Sequence, residues 1–497
     1  MIDHILREYA SKRYIGGLCC LLFPVMVQAE SIDDLMSEFD DTLPSVSKVN
    51  DDVSIAKETD IMDGFDDQES EHLTKEESWD SENAEDSDIV RGLNHVPLIN
   101  GFSGKLTQQL ALSYNDNEPK NIFSSLRNTI FLDYEKKFDN GVRMKVNARA
   151  FYDGIYDIRR KDYTEQERDS LRTEIRLFDA YMEWRINDTL EVKAGRQIIV
   201  WGRSDTIRIT DILNPVDIRR PGFDDIEELR LPVGMIRFDY TVGEWRITPI
   251  LIVEQQFNLL PPYGSPYNPL QEEMYYPYPP EDENYNDITY AISASADFHG
   301  WDIAFYAAHV YDDVGYFKNS DQETLFYTPT KLYHAKSNML GSACNILKGS
   351  WLFRTEVAYW NQLHYTTIPD DTMRRIDALV GIEYSGFSDV SIDYDVAVRH
   401  FFNFDERLIA EGQEKDTYQH ALRIRAGFLN DDLHLNYLHT RFGPDLQNGG
   451  YQRIWMEYQM ADALHMEVGA IDYFGGSPIF DKVKDESTLY MDIAYSF

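Results

Sequence analysis

The densest run of chemically capable side chains lies between Gly202 and Arg230, in "GRSDTIRITDILNPVDIRRPGFDDIEELR". It sets Arg203, Arg208, Arg219, Arg220 and Arg230 among Asp205, Asp211, Asp217, Asp224 and Asp225. Guanidinium and carboxylate groups at irregular spacing do not make a nucleophile, a base and an orienter. They can pair with one another, or impose a field on a solute that passes. Apolar residues at 207, 209, 212, 213 and 216 run through the same stretch. A solvated surface loop has no use for them, so the segment is expected to pack against something.

Other chemistries have weaker claims. The 12 histidines are scattered, and neither Gly-x-Ser-x-Gly nor His-Glu-x-x-His occurs. No catalytic residue is assigned, and an enzyme is not expected. The acid pairs Asp312-Asp313 and Asp370-Asp371 lack a ligand loop of calcium-binding spacing and read as solvated. No metal or cofactor is expected. A net charge of −39 argues against nucleic acid as a partner, because phosphate contacts need a basic face.

The elements around this run alternate in polarity. In "GVRMKVNARAFY" Val142, Met144, Val146, Ala148 and Ala150 share one side, and Arg143, Lys145, Asn147, Arg149 and Phe151 the other. "VSIDYDVAVR", "RIDALVGIEY" and "ALRIRAGF" repeat this period of two, the pattern of a strand with one apolar and one polar face. The strands are long, and their connections alternate between short and long. Turns such as "FDNG" (138–141), "LKGS" (347–350) and "MADA" (460–463) are tight, and Pro-rich or charged loops lie between them. Strands are expected near 101–113, 124–136, 141–154, 172–185, 189–201, 231–243, 244–257, 285–299, 300–313, 328–346, 349–363, 374–386, 388–402, 416–429, 431–441, 450–461, 463–474 and 486–497. That layout predicts an all-β fold, a single-chain transmembrane antiparallel barrel of 18 strands over residues 96–497, or 16 if one pair is miscounted. Lipid leaves backbone groups no partner outside a closed sheet, which is why the barrel is the one β solution there.

In such a barrel the polar faces become the lumen wall. Arg127, Arg143, Lys145, Arg149, Arg246, Arg375, Arg423 and Arg425 are the expected basic pore lining. Acids such as Asp133, Glu356, Asp377, Asp393 and Asp395 share those faces, so wall-to-wall ion pairs are the simpler reading. Arg127, Arg143, Lys145 and Arg149 could instead attract an anionic solute. The run from Gly202 follows a strand that reads to Trp201, which puts Trp201-Gly202 at the long-loop rim. The expected plug or constriction comprises Arg203, Asp205, Arg208, Asp211, Asn214, Pro215, Asp217, Arg219, Arg220 and Asp224. The alternative is a lid packed on neighbouring loops. The Tyr- and Pro-rich loop 261–285 is expected to be extended, outside the barrel or against lipopolysaccharide.

Residues 1–29 read as a secretory signal, with Arg7, Lys12 and Arg13 ahead of "IGGLCCLLFPVMV" and Val27-Gln28-Ala29 as the cleavage site. A short membrane anchor is the alternative. Residues 30–95 read as an acidic, disordered periplasmic segment; from 30 to 90 there are 22 Asp/Glu against 3 Lys. It repeats Asp-[Leu/Ile]-Met-x-x-Phe-Asp-Asp, so Leu35, Met36, Phe39, Ile61, Met62 and Phe65 could dock in a groove on a periplasmic or inner-membrane transport partner.

The chain's end "STLYMDIAYSF" resembles the signal read by the barrel-insertion machinery, although Asp492 stands where a glycine is common. With the leader, the strands and "GRQ…WG…D…NP.D", the sequence resembles a family of uncharacterised proteobacterial outer-membrane proteins grouped with alginate-export porins. The resemblance implies a barrel in the outer membrane of a Gram-negative bacterium, surrounded by lipid and lipopolysaccharide, and an export role. The expected function is a gated, substrate-selective conduit for a polymer or amphipathic compound. A passive general porin and a surface scaffold or adhesin are the alternatives.

Overall fold

The computed structural model describes residues 101–114, 123–268, 287–318 and 331–497. The leader, the acidic segment with its repeated motif and residues 269–286 of the Tyr-rich loop lie outside the described residues.

The alternating segments form strands. The first nine are β1 (Phe102–Ser113), β2 (Phe123–Lys137), β3 (Arg143–Asp153), β4 (Thr173–Asn187), β5 (Leu190–Gln197), β6 (Val233–Val242), β7 (Trp245–Ile252), β8 (Thr289–Phe298) and β9 (Trp301–Tyr311). A small two-stranded ribbon follows, β10 (Tyr316–Lys318) with β11 (Lys331–Tyr333). The wall resumes with β12 (Lys336–Lys348), β13 (Trp351–Leu363), β14 (Met373–Phe387), β15 (Val390–Phe402) and β16 (Asp416–Phe428). It ends with β17 (Leu433–Phe442), β18 (Gly450–Ala461), β19 (Leu464–Phe474) and β20 (Thr488–Ser496).

Sequential strands pair antiparallel, β9 pairs with β12 across the ribbon, and β1 pairs with β20. The sheet is therefore a closed antiparallel barrel of 18 strands with no free edge. Closure satisfies each strand's backbone on both sides, the condition for life in lipid.

Period two decides which way each side chain points. On β13, Arg354, Glu356 and Ala358 are buried inside, while Trp351, Phe353 and Val357 are exposed outside. On β15, Asp393, Asp395 and Ala397 turn inward. The outward positions carry an apolar belt that includes Leu106, Ile175, Leu251, Ile292, Phe305, Leu340, Val380, Leu435, Ile454 and Ile493. Exposed aromatic residues collect near the short turns (Phe138, Tyr240, Trp245, Trp301, Trp351, Phe387, Phe428) and near the long loops (Phe123, Tyr152, Tyr290, Phe402). An apolar band between two aromatic rims matches the hydrocarbon layer and its two interfaces.

Three departures from the expected strand boundaries have a structural cause. β5 stops at Gln197 rather than Trp201, because residue 198 onward leaves the wall for the interior. β7 stops at Ile252, because the chain beyond it joins that interior segment: Leu259 N–H donates to Val216 O, and Ile218 N–H to Leu259 O. The segment expected as one strand over 328–346 divides into the ribbon strand β11 and the wall strand β12.

Candidate functional site: a segment across the lumen

Gln197 and Val233 face each other as the last pair of β5 and β6, so a short hairpin turn would suffice to join them. The chain instead makes an excursion through the lumen. Asn214 gathers its neck. This fully buried side chain accepts a hydrogen bond from Ile199 N–H (2.8 Å) and donates to Leu231 O (2.8 Å) and Gln197 O (3.2 Å). Asp211 sits beside it, accepting from Arg208 Nε (3.0 Å) and Arg230 Nε (2.8 Å).

The first lobe, residues 199–213, is held by shape and by carboxylates. Ile199, Trp201, Ile207, Ile209 and Leu213 are buried against the inward alanines 291, 304, 308, 343, 358, 397 and 421. Small side chains on six strands leave the room that the lobe's large ones fill, which is how cores reach close packing. Trp201 therefore lies inside the barrel, stacked on Tyr306 at 4.7 Å, and does not mark a rim. Glu356 of β13, 1% exposed, accepts from the backbone N–H of Arg203 (2.6 Å), Ser204 (2.9 Å) and Thr210 (3.3 Å) and from the Thr210 hydroxyl (2.8 Å). Asp395 of β15 accepts from the Ser204 and Thr206 hydroxyls, both at 2.6 Å. Arg203 pairs with Asp302 of β9 at 2.8 Å.

The second lobe, residues 216–230, reaches the remaining wall through ion pairs, hydrogen bonds and Phe223, which is buried among Ala111, Trp455, Ile471, Tyr473 and Tyr490. Arg219 pairs with Asp217 (2.6 Å) and with Glu174 of β4 (2.9 Å), and Asp217 lies 4.0 Å from Arg149 of β3. Burial alone would raise the Asp217 carboxyl, but the hydrogen bonds and charge of Arg219 hold it below the usual carboxylate range. Arg220 donates to Gln109 of β1 (2.7 Å) and stacks over Phe223. Pro221 O accepts from Tyr473 of β19 (2.6 Å). Asp225, at the start of the short helix Ile226–Leu229, pairs with Arg423 of β16 (2.7 Å) and Arg453 of β18 (3.2 Å). Arg423 stands nine strand positions around the barrel from β5, diametrically opposite the segment's origin. The excursion thus spans the lumen. Asp224 and Glu228 are its exposed residues.

The sequence-derived residues sort accordingly. Arg203, Asp205, Arg208, Asp211, Asn214, Pro215, Asp217, Arg219, Arg220 and Asp224 all lie on the excursion. Most of the basic lining is paired on the inner wall: Arg127 with Asp153 (3.6 Å), Arg143 with Glu135 (3.1 Å), Arg375 with Asp377 (2.7 Å) and Arg425 with Asp205 (3.9 Å). Lys145 and Arg246 share the inward parity of strands β3 and β7. The four basic groups of β2 and β3 are thus interleaved with carboxylates rather than forming a bare cationic strip. Sequence reasoning did not find the anchors. Glu356, Asp395 and Asp302 sit on the polar faces, but only the fold shows which wall the segment meets. The inward alanines of neighbouring strands were the available signal.

The chain matches the family described as "Protein of unknown function (DUF1302)" over residues 17–433. It belongs to that family. No curated protein matches it. Among solved structures, it is similar to OpdK of Pseudomonas aeruginosa, solved with vanillate, at 8% identity and a TM-score of 0.47, covering 80% of this chain and 98% of that one. OccAB3 of Acinetobacter baumannii has 12% identity and a TM-score of 0.47, with the same coverage. A BenF-like porin of Pseudomonas fluorescens Pf-5 has 10% identity and a TM-score of 0.45, covering 80% of this chain and 97% of that one. The architecture of this DUF1302 member rests on its own strand pairing.

Proposed function

We propose that this protein is an outer-membrane channel whose passage is narrowed by the excursion 198–232. The observation that carries the reading is the pairing of an apolar outer belt with a polar, ion-paired lumen crossed by an anchored segment. A scaffold needs neither an ion-lined interior nor a segment tied to opposite walls. On this reading the short-turn rim faces the periplasm and the long loops face outward.

A selective conduit is favoured over a passive general porin because both lobes engage the wall. The apolar first lobe reads as a fixed constriction. The second, held by Arg–carboxylate pairs and by Phe223 alone among large apolar anchors, is the half that a solute or a change of field could displace. An exported polymer or amphipathic compound fits a passage governed by shape and paired charge. Purified full-length protein in planar bilayers is expected to give small, discrete single-channel currents. Absence of current under any applied voltage would favour the scaffold reading and overturn this one.

A periplasmic partner belongs to the same proposal. A peptide spanning residues 31–70 is expected to capture it, and Phe39→Ala with Phe65→Ala to abolish capture. Identical capture by the double variant would remove the docking motif from the proposal.

A further inference from the structure

The outer wall carries a groove that the channel reading does not use. It has a volume of about 600 Å³, within the range of small-molecule sites, and crosses β7, β8, β9, β12 and β13. Its floor is Ala307, a small residue in a belt of large ones, and Leu251, Ile292, Leu340 and Tyr359 stand around it. The groove lies on the half of the barrel nearer the long loops, since Ala307 comes late in β9, and Tyr290 of that aromatic rim borders it.

Its upper end is polar and partly unsatisfied. Asn338 Nδ2 donates to Gln362 Oε1 (2.6 Å), which makes Asn338 Oδ1 an acceptor for His309 Nδ1–H (2.8 Å). This chain of bonds fixes the His309 tautomer and leaves Nε2 as a bare acceptor. Asn361 uses Oδ1 to accept from Gln362 N–H, and its Nδ2 remains a donor. Neither His309 Nε2 nor Asn361 Nδ2 has a partner among the described residues. Within lipid, such groups need partners from the lipid itself.

We infer that the groove binds an acyl chain of an outer-leaflet lipopolysaccharide, with its hydroxyacyl or amide group on His309 and Asn361. The inference rests on the outer-membrane reading above, because it needs the long-loop half of the belt to face the outer leaflet. The chemistry chooses the lipid. An acceptor and a donor side by side require a ligand that offers a donor and an acceptor at the depth of its acyl linkage. Amide-linked hydroxyacyl chains offer N–H, O–H and C=O there. The ester linkages of a phosphatidylcholine offer acceptors alone. The groove is continuous with the apolar belt, so no second protein is needed to cover it.

The test uses the full-length chain in nanodiscs of phosphatidylcholine doped with deep-rough lipopolysaccharide, with retained lipid counted by native mass spectrometry after detergent release. The wild type is expected to retain lipopolysaccharide. The double variant His309→Ala/Asn361→Ala, which removes the polar end, is expected to retain about tenfold less, the cost of one or two hydrogen bonds made in lipid, and Ala307→Trp, which fills the floor, is expected to lose retention by blocking the acyl chain. Retention equal to wild type in the polar variant overturns the inference. So does equal retention of phosphatidylcholine, or a change in oligomeric state in Ala307→Trp, which would make the groove a subunit contact. Conductance of the same wild-type preparation separates the two readings. Retained lipid without current sinks the channel alone, and current with unselective retention sinks the lipid site alone.

Discussion

Replacing residues 198–232 with a turn of about four residues is expected to leave the barrel closed and to raise its single-channel conductance several-fold. Closure should survive because β5 and β6 are already in register from Leu190↔Tyr240 to Gln197↔Val233, so the excursion is not needed to align them. The conductance should rise because the segment touches β1, β4, β9, β13, β15, β16, β18 and β19, which together surround the lumen. Planar-bilayer recordings with wild type and the shortened variant side by side give the answer. Heat-modifiable mobility on a gel reports whether the barrel still folds. A folded variant with wild-type conductance would show that the segment does not limit the passage. The inner wall should also pay a stability cost, since the alanines that the first lobe covers would then face water.

Glu356→Ala should free the first lobe without opening the wall. The carboxylate collects four hydrogen bonds from the segment, and its removal takes the acceptor from three backbone donors, that of Thr210 buried and those of Arg203 and Ser204 half-buried. Charge-assisted bonds of this kind, and the cost of stranding their donors, put the local destabilisation at about 3–5 kcal/mol. Amide exchange at Arg203, Ser204 and Thr210 is then expected to accelerate by roughly 150- to 5000-fold, while strand amides of β13 keep their protection. Current noise should grow with it. Glu356→Gln keeps acceptor capacity at one oxygen and is expected to fall between the two. Unchanged exchange at those three amides in Glu356→Ala would mean that the apolar contacts of Ile207, Ile209 and Leu213 suffice to hold the lobe.

Much of the wall was legible because a membrane barrel writes its geometry into the chain twice. Alternation marks each strand's two faces, and the short–long rhythm of connections marks the two rims. β18, expected over 450–461, runs from Gly450 to Ala461, and β16 begins at Asp416 as its pattern indicates. Legibility failed where a strand gave way to tertiary demands. "IIVWG" continues β5's apolar run, yet Asn214, some fifteen residues later, takes the Ile199 N–H that a strand would have shared with β6. Local pattern does not reveal a competitor that arrives from elsewhere in the chain. The expected strand over 244–257 overran for the same reason, because Asn258 and Leu259 are claimed by Val216 and Ile218.

The basic lining shows the complementary difficulty. Arg127, Arg143, Arg149, Arg423 and Arg425 were readable as inward, because parity alone fixes that. Their partners were not, because Asp153, Glu135, Asp217, Asp225 and Asp205 meet them only after strands are aligned in register and the excursion is laid across them. A charge's effect on a passing solute depends on what neutralises it nearby, so a list of inward arginines carries little information about selectivity.

By itself, then, the sequence determined the barrel class, the facing of side chains and the connection in which a charged, half-apolar segment lies, all of which follow from local periodicity and turn chemistry; the segment's point of departure, after Gln197 rather than Trp201, it did not. Only the tertiary structure decided that this segment turns inward and crosses to the opposite wall. That outcome depends on alanines from six strands, on Glu356 and Asp395, and on the neck at Asn214, contacts between residues far apart in the chain whose meeting no local pattern encodes.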